Sequence, residues 1–254
     1  VAKKVLIIGD TIIDKDIELK AIGLSLESPT LKTETHAESI NFGGAANVAK
    51  YAHQFGLDVT FATTMSKESE YQYLEKYSLK LLNLDSSIEN TKSRFYISHG
   101  DERYKYLQVN NTNKQDLSVG LNLDLDKFDV IAFSDYRCGL INNEMVFDSI
   151  KSKAKTFGAS QISSKESNFE KYSKLDYLVC NKNESKSFKR RRNVLITQGK
   201  DGCKLNSVTY PAISVPEPKN LIGAGDCFYA SFLAYQNPIM ANKCAAEYIR
   251  GDYG

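Results

Sequence analysis

Short apolar runs, each stopped by a small or polar residue, set the rhythm of this chain. Val5–Ile8 ends in Gly9-Asp10, the pattern of a strand buried on both faces that delivers a carboxylate to its C-terminal edge. Gly43-Gly44 opens a helix whose apolar stripe is Ala45, Val48, Ala49, Ala52 and Phe55, with Gly56 closing it. Val59–Thr63, Val130–Phe133, Tyr177–Cys180 and Val194–Thr197 read as further short strands. Asn142 or Asn143 caps a helix with the stripe Val146, Ile150 and Ala154. Gly223–Gly225 precedes a helix through Tyr235, and Ala241, Cys244, Ala245, Tyr248 and Ile249 mark a last one. Strands alternating with helices predict an α/β domain with a parallel sheet covered on both faces.

Residues 15–40 and 90–110 break that rhythm. The second stretch reads as a β-hairpin, with Arg94–Ser98 and Tyr104–Val109 flanking a turn at His99-Gly100-Asp101. In a parallel α/β domain such inserts are candidates for a lid over the sheet edge; a surface hairpin without a role is the alternative. Lys189-Arg190-Arg191-Arg192 reads as a solvated loop, with a phosphate or nucleic-acid contact as the minority reading.

Composition narrows the partners. The sequence has 254 residues, 42% hydrophobic and 25% charged, as expected of a globular chain with an ample core. A net charge of +2 gives no reason to expect a nucleic-acid partner, and no apolar run approaches the roughly 20 residues that span a bilayer. The five cysteines are widely spaced with no Cys-x-x-Cys pair, and the three histidines do not cluster. Neither a disulfide scaffold nor a zinc site is expected, and a reduced, cytoplasmic protein is.

The most informative segment is Asn220-Leu221-Ile222-Gly223-Ala224-Gly225-Asp226, which runs straight into a helix. Small residues there let backbone N–H groups approach a ligand, and the helix N-terminus favours a phosphate or another oxyanion. A carboxylate at Asp226 would repel that phosphate unless it has its own job, such as taking a proton from an attacking hydroxyl. Alternatively, this is a glycine-rich helix start in which Asp226 only stabilises the first turn. Asn181-Lys182-Asn183-Glu184 follows a strand and offers oxygens that could hold Mg²⁺ through water. Thr197-Gln198-Gly199-Lys200-Asp201-Gly202 follows another and would make a tight loop beside a nucleotide. Gly43-Gly44-Ala45-Ala46-Asn47 with Asp10 and Asp14 forms a second polar set, suited to sugar hydroxyls.

In this order and at these strand edges, the blocks resemble the ribokinase-like (carbohydrate kinase, PfkB-type) family over essentially the whole chain. Ala241-Asn242-Lys243-Cys244-Ala245-Ala246 is similar to the family's late helix beside the adenine. The resemblance implies a ribokinase-like three-layer sandwich, with a central mostly parallel sheet and a small β lid from residues 15–40 and 90–110 of a single 1–254 domain. It implies an ATP- and Mg²⁺-dependent sugar kinase. Asp226 would be the general base and the amides of Gly223, Ala224 and Gly225 the anion hole. Asn181 and Glu184 would hold the metal, and Asn181, Thr197, Gly199, Gly202 and Asn242 the nucleotide. Asp14, Gly43, Gly44 and Asn47 would hold the sugar.

Within the family the chain looks most like the kinase domain that phosphorylates heptose 7-phosphate at its anomeric hydroxyl. The residues behind this are Ser25–Pro29, Ser134-Asp135-Tyr136-Arg137-Cys138-Gly139, and Lys165 with Asn168–Tyr172. A phosphorylated acceptor should meet cations, for which Lys92, Arg94, Arg103, Lys105 and Arg137 are candidates; the alternative for each is solvated surface. A ketose, pentose or nucleoside acceptor, and a non-catalytic module of the same fold, are the competing readings. Lid strands in this fold often pair between subunits, so a homodimer through the lid is an expectation by analogy.

Two departures stand out. Only 12 residues separate Glu184 from Thr197, where the family has a full helix, and a parallel crossover needs about a dozen at minimum. The segment Phe157–Lys165, read as a strand, lacks the Asp that heptose kinases of this type commonly carry before the Lys. Relatives also often continue into a nucleotidyltransferase domain, which residues 1–254 do not contain.

Overall fold

A computed structural model describes residues 2–99, 102–161, 168–187, 189 and 192–253. Its centre is β1 (Lys4–Gly9), where Val5, Leu6, Ile7 and Ile8 are all fully buried. The strand period of two sends Val5 and Ile7 into one apolar cluster and Leu6 and Ile8 into another. Residues of β8 (Val130–Asp135) divide the same way, with Val130 and Ala132 on the first face and Ile131 and Phe133 on the second. Complete burial of such a side chain contributes roughly 1.5–3 kcal/mol, so these strands need cover on both faces.

That cover makes three layers. The first face carries α1 (Ala45–Gln54), α4 (Ala224–Tyr235) and α5 (Pro238–Arg250), together with Tyr73 of α2 (Lys67–Lys76). The second face carries α3 (Asn143–Lys151) and a 3₁₀ turn at Phe169–Tyr172. The remaining strands of the central sheet are β4 (Asp58–Thr63), β5 (Lys80–Asn83), β9 (Lys155–Ser160), β10 (Tyr177–Asn181), β11 (Val194–Thr197), β12 (Cys203–Leu205) and β13 (Val208–Tyr210). The order is β13-β12-β11-β10-β9-β8-β1-β4-β5, parallel from β11 to β5, with an antiparallel hairpin at the β12–β13 edge. The C-terminal ends Gly9, Asp135, Ser160, Asn181 and Thr197 therefore lie along one edge of the sheet.

A second sheet is built from β2 (Thr11–Leu24), β3 (Leu31–Gly44), β6 (Thr91–His99) and β7 (Glu102–Asn111), in the order β3-β2-β6-β7. Residues 15–40 and 90–110 thus meet in one sheet through parallel pairing of β2 with β6. Asn90 ties its base: the side chain donates to the Thr11 carbonyl and accepts the Asn113 N–H at 2.8 Å.

Several expectations are corrected. Ala154 lies beyond α3, because Ser152 caps the helix at Lys151 and the chain turns into β9. Asn142, not Asn143, is the N-cap and accepts the Met145 N–H. Helix α2 was not expected, although Ser66 caps it and Glu68 and Glu70 occupy its first turn. Its weakly apolar sequence hides the one deeply buried ring, Tyr73. Strand β5 and the β12–β13 hairpin were also not foreseen. Strands β10 and β11 pair in parallel despite the short connection, and the only regular turn between them among the described residues is the 3₁₀ turn Glu184–Ser187. Gly100, Asp101, Lys165, Arg190 and Arg191 lie outside the described residues, as does all of 162–167 in the segment read as a strand.

Candidate active site

The site grows from the edge where the parallel strands end. A cavity of about 180 Å³ there is lined by Tyr136, Asn181, Glu184, Thr197, Gly225 and Asp226, among others. Helix α4 enters from the first face. Its N-cap is Gly223 at φ 91°, where an added Cβ would meet the Tyr248 hydroxyl oxygen at 2.7 Å, so the turn needs glycine for both space and backbone angle. No side chain caps this helix start. Ala224 N–H makes only a long 3.5 Å contact to the Leu221 carbonyl, and the first turn's dipole end is open to an anion. At Gly225, in contrast, no atom beyond its own stretch of helix lies within 4 Å of the position a Cβ would take.

Asp226 sits in that first turn. The Tyr136 hydroxyl donates to its Oδ1, and Asn47 Nδ2 donates to its Oδ2 at 3.3 Å. Burial pushes its carboxyl up to about 6, helped by the nearby charge of Asp14 and opposed by the two donors. Asn47 and Asp14, read from sequence as sugar-side residues, are thereby brought beside Asp226. Gly43 makes room for Asp14, since a Cβ there would lie 2.3 Å from Asp14 Oδ2. Gly44 caps α1.

On the other side, Asn181 and Glu184 close a reciprocal turn. Asn181 Oδ1 accepts the N–H groups of Asn183 and Glu184, each at 2.9 Å, and Glu184 Oε2 accepts the Asn181 N–H at 2.7 Å. Burial raises the Glu184 carboxyl above its ordinary range. With Asn181 Oδ1 taken by two amides and Glu184 Oε2 by one, Glu184 is the member of the pair with acceptor capacity for a hydrated cation, and Asn181 fixes the turn that presents it, so the turn fits a water-mediated Mg²⁺ held by Glu184. No group of three or more His, Cys, Asp or Glu side chains suited to a metal occurs among the described residues. Thr197 lines the cavity, and Gly199–Asp201 makes the expected tight turn, closed by Gln198 N–H to Gly202 carbonyl at 2.8 Å.

Other residues are placed differently from their sequence reading. Asp10 is buried within the loop after β8 and accepts the N–H groups of Tyr136, Cys138 and Leu140. It shapes that loop rather than facing a sugar. Asn242 is also buried, its amide donating to the carbonyls of Tyr210 and Pro211 at 3.0 Å. Arg94 and Arg103 belong to a ladder on one face of the second sheet. Arg94 lies 2.9 Å from Asp14 and 3.6 Å from Asp16, while Arg103 pairs with Glu18 and stacks on Tyr96. The alternation Asp14, Asp16, Glu18 puts all three acids on that face.

Sequence reasoning missed Tyr136 as a partner of Asp226, although its place one residue past a strand end was a usable signal. It also missed the Asp135 network. That carboxylate accepts from Ser160, Asn168 and Tyr172 and from the Arg137 N–H. Ser25–Pro29 forms the exposed turn between β2 and β3.

Fold and site together define a ribokinase-like α/β enzyme architecture. The structure superimposes on ribokinase from Arabidopsis thaliana, described in complex with ribose and ATP, with a TM-score of 0.71 and 13% identity over 97% of this chain and 91% of that one. Ribokinase from Thermotoga maritima gives a TM-score of 0.66 at 16% identity, over 97% and 93%. The profile of the pfkB family carbohydrate kinase matches residues 2–235, and the chain belongs to that family. Among curated proteins it is similar to the bifunctional protein HldE of Pelobacter propionicus, 23% identical over 90% of this chain and 54% of that protein. HldE of Geobacter sulfurreducens is 26% identical over 72% of this chain and 39% of that protein. The chain thus spans about half or less of the length of these relatives.

Proposed function

We propose that this domain is an ATP-dependent sugar kinase whose acceptor is a heptose phosphate, phosphorylated at the anomeric hydroxyl. The observation that carries the reading is Asp226: a carboxylate with a raised pKa in the first turn of an uncapped helix, in a cavity shared with Asn181, Glu184 and Thr197. Phosphoryl transfer asks mainly for alignment and charge neutralisation, and this edge of the sheet offers both. Asp226 takes the acceptor's proton as its oxygen attacks the γ-phosphorus, and ADP departs. The amides of Gly223, Ala224 and Gly225 stabilise the charge on the transferring group. Glu184, on the turn that Asn181 fixes, would hold Mg²⁺ through water, and the ion would neutralise phosphate charge. Asp14, Gly43, Gly44 and Asn47 receive the sugar, and the β2-β3-β6-β7 sheet is a lid over it.

The heptose assignment rests on the loop Ser134–Gly139 with its partners Asn168 and Tyr172, and on the HldE relatives. A neutral sugar or nucleoside acceptor is favoured by one observation: Arg94 and Arg103 are already paired with carboxylates, which offsets the charge of those two candidate cations. The lid also presents exposed Leu24, Tyr104, Tyr106, Leu107 and Val109, together with an open β7 edge, which supports a homodimer formed there. No helix among the described residues is long and apolar enough to cross a membrane. A cytoplasmic location is part of the proposal.

The test is ADP release from Mg·ATP across a panel of heptose 7-phosphate, hexose phosphates, ribose, fructose and nucleosides. Heptose 7-phosphate should give the highest kcat/KM. A neutral sugar ahead of it would overturn the acceptor assignment, and no turnover with any member would overturn the kinase reading.

A further inference from the structure

Asp226 is held by a residue whose own placement is unusually well determined. Tyr136 directly follows the last residue of β8, and its hydroxyl donates to Asp226 Oδ1. The loop that carries it is fixed from behind by two buried acids. Asp10, only 1% exposed, accepts the N–H groups of Tyr136 at 2.8 Å, Cys138 at 3.2 Å and Leu140 at 3.3 Å. Asp135 accepts the Arg137 N–H at 2.8 Å and is itself bound by the Tyr172 hydroxyl at 2.6 Å. Three amides converging on one carboxylate leave the Tyr136 backbone little freedom, and the phenol reaches the cavity from a rigid base.

We propose that Tyr136 is a positioning residue for phosphoryl transfer: by donating to Oδ1 it fixes the rotation of the Asp226 carboxylate and leaves Oδ2 as the oxygen that receives the acceptor's proton. The proposal rests on reading Asp226 as the base. In the step, the acceptor O–H bond breaks and its proton passes to Oδ2. The oxygen's electron pair forms the new bond to the γ-phosphorus, and the bond from that phosphorus to the β-γ bridging oxygen breaks, its pair leaving with ADP. Asn47 touches Oδ2 at 3.3 Å, a long contact that leaves the second lone pair of that oxygen for the acceptor.

Other groups near the carboxylate do not perform this task. Asp14 on β2 acts on it only through like charge. Tyr51 on α1, Tyr248 on α5 and the adjacent Cys227 interact with Asp226 through charge, while Glu184 faces Tyr136. The Tyr248 hydroxyl is turned to the Ile222 carbonyl. Burial and the Asp226 charge hold the Tyr136 phenol well above its ordinary range, so it stays a donor throughout the working pH range.

The test compares wild type, Tyr136→Phe and Asp226→Asn. The first readout needs no substrate: the Asp226 carboxyl is titrated by ¹³C NMR in aspartate-labelled protein, with Asp226→Asn identifying the resonance. Loss of one hydrogen bond to the ionised form should raise its midpoint by about one pH unit in Tyr136→Phe. The second readout is turnover of Mg·ATP with heptose 7-phosphate, or with whichever panel sugar yields ADP. Tyr136→Phe should lose at least about tenfold in kcat with KM for ATP unchanged, and the acid limb of its pH profile should move to higher pH. Phenylalanine keeps the ring, and an unchanged Kd for Mg·ATP would show that the cleft is intact. An unmoved midpoint or a wild-type kcat overturns the role of Tyr136 while Asp226→Asn stays inactive. Near-normal turnover by Asp226→Asn overturns the reading beneath it.

Discussion

Gly225→Ala separates what this helix start does for the fold from what it does for chemistry. Gly225 is exposed in the first turn of α4 and lines the cavity, and nothing beyond its own stretch of helix lies within 4 Å of where its Cβ would point. The fold should therefore accept the methyl group, and replacing a helical glycine by alanine is worth up to about 1 kcal/mol of stability. In a domain of this size that raises Tm by about 2–4 °C. Because Gly225 lines the cavity, the same methyl group would take up room that a phosphoryl oxygen needs to come within about 3 Å of the helix-start amides. Losing one such contact costs roughly 3 kcal/mol of transition-state stabilisation, or on the order of 10²-fold in kcat/KM. Thermal unfolding and coupled ADP release, run on one preparation, should thus move in opposite directions. Gly223→Ala is the contrast: its φ of 91° and the 2.7 Å approach to the Tyr248 hydroxyl predict a lower Tm as well as lost activity. A Gly225→Ala enzyme with wild-type kcat/KM would refute the anion-site argument, and a lowered Tm would refute the structural one.

Three further outcomes follow from the same geometry. The acid limb of the kcat/KM profile of the free enzyme should fall near pH 6, because burial raises Asp226 to about 6 and only its ionised form accepts a proton. Stability should run the other way. Asp10, raised to about 7 by burial and by Asp135, and Asp226 both bind protons more tightly folded than unfolded, so their contribution is complete below about pH 4 and is lost as pH rises through 6 to 7. Urea midpoints at successive pH values should show that fall, and Asp10→Asn should flatten it. Arg94→Ala should destabilise by about 1–3 kcal/mol, since it takes from Asp14 its 2.9 Å partner and leaves Asp16 only the 3.8 Å approach of Arg103, whereas Arg103→Ala, whose side chain is 46% exposed, should cost about 1 kcal/mol or less; urea midpoints compare the two directly.

The central sheet was legible because burial on both faces forces continuous apolar runs such as Val5–Ile8, and the edge residues after them were legible because strands must stop in small or polar residues. Gly223–Asp226 declared a helix start by composition alone. What escaped was carried by long-range geometry. Helix α2 is mostly polar and is held by one buried ring, Tyr73, packed on Phe42 and Phe61, and by hydrogen bonds from Ser66 and Ser69 to the distant Glu89. Arg94 and Arg103 looked like free cations because the pairing of β2 with β6, which sets them against Asp14, Asp16 and Glu18, joins segments some 80 residues apart. Asp10 looked like a sugar ligand because no local pattern reveals that three amides from residues 136–140 surround it. Tyr136 was visible in sequence, but its partner lies 90 residues on.

The claim that all of this serves is that Asp226 removes the acceptor's proton. The most direct measurement is single-turnover phosphorylation by Asp226→Asn with saturating Mg·ATP and the best acceptor of the panel. Asparagine preserves shape and its Oδ1 can still accept from Tyr136, yet it cannot take the proton. The account predicts a rate constant for the chemical step at least about 10²-fold below wild type, with ATP affinity retained. A chemical step within a few-fold of wild type would contradict it.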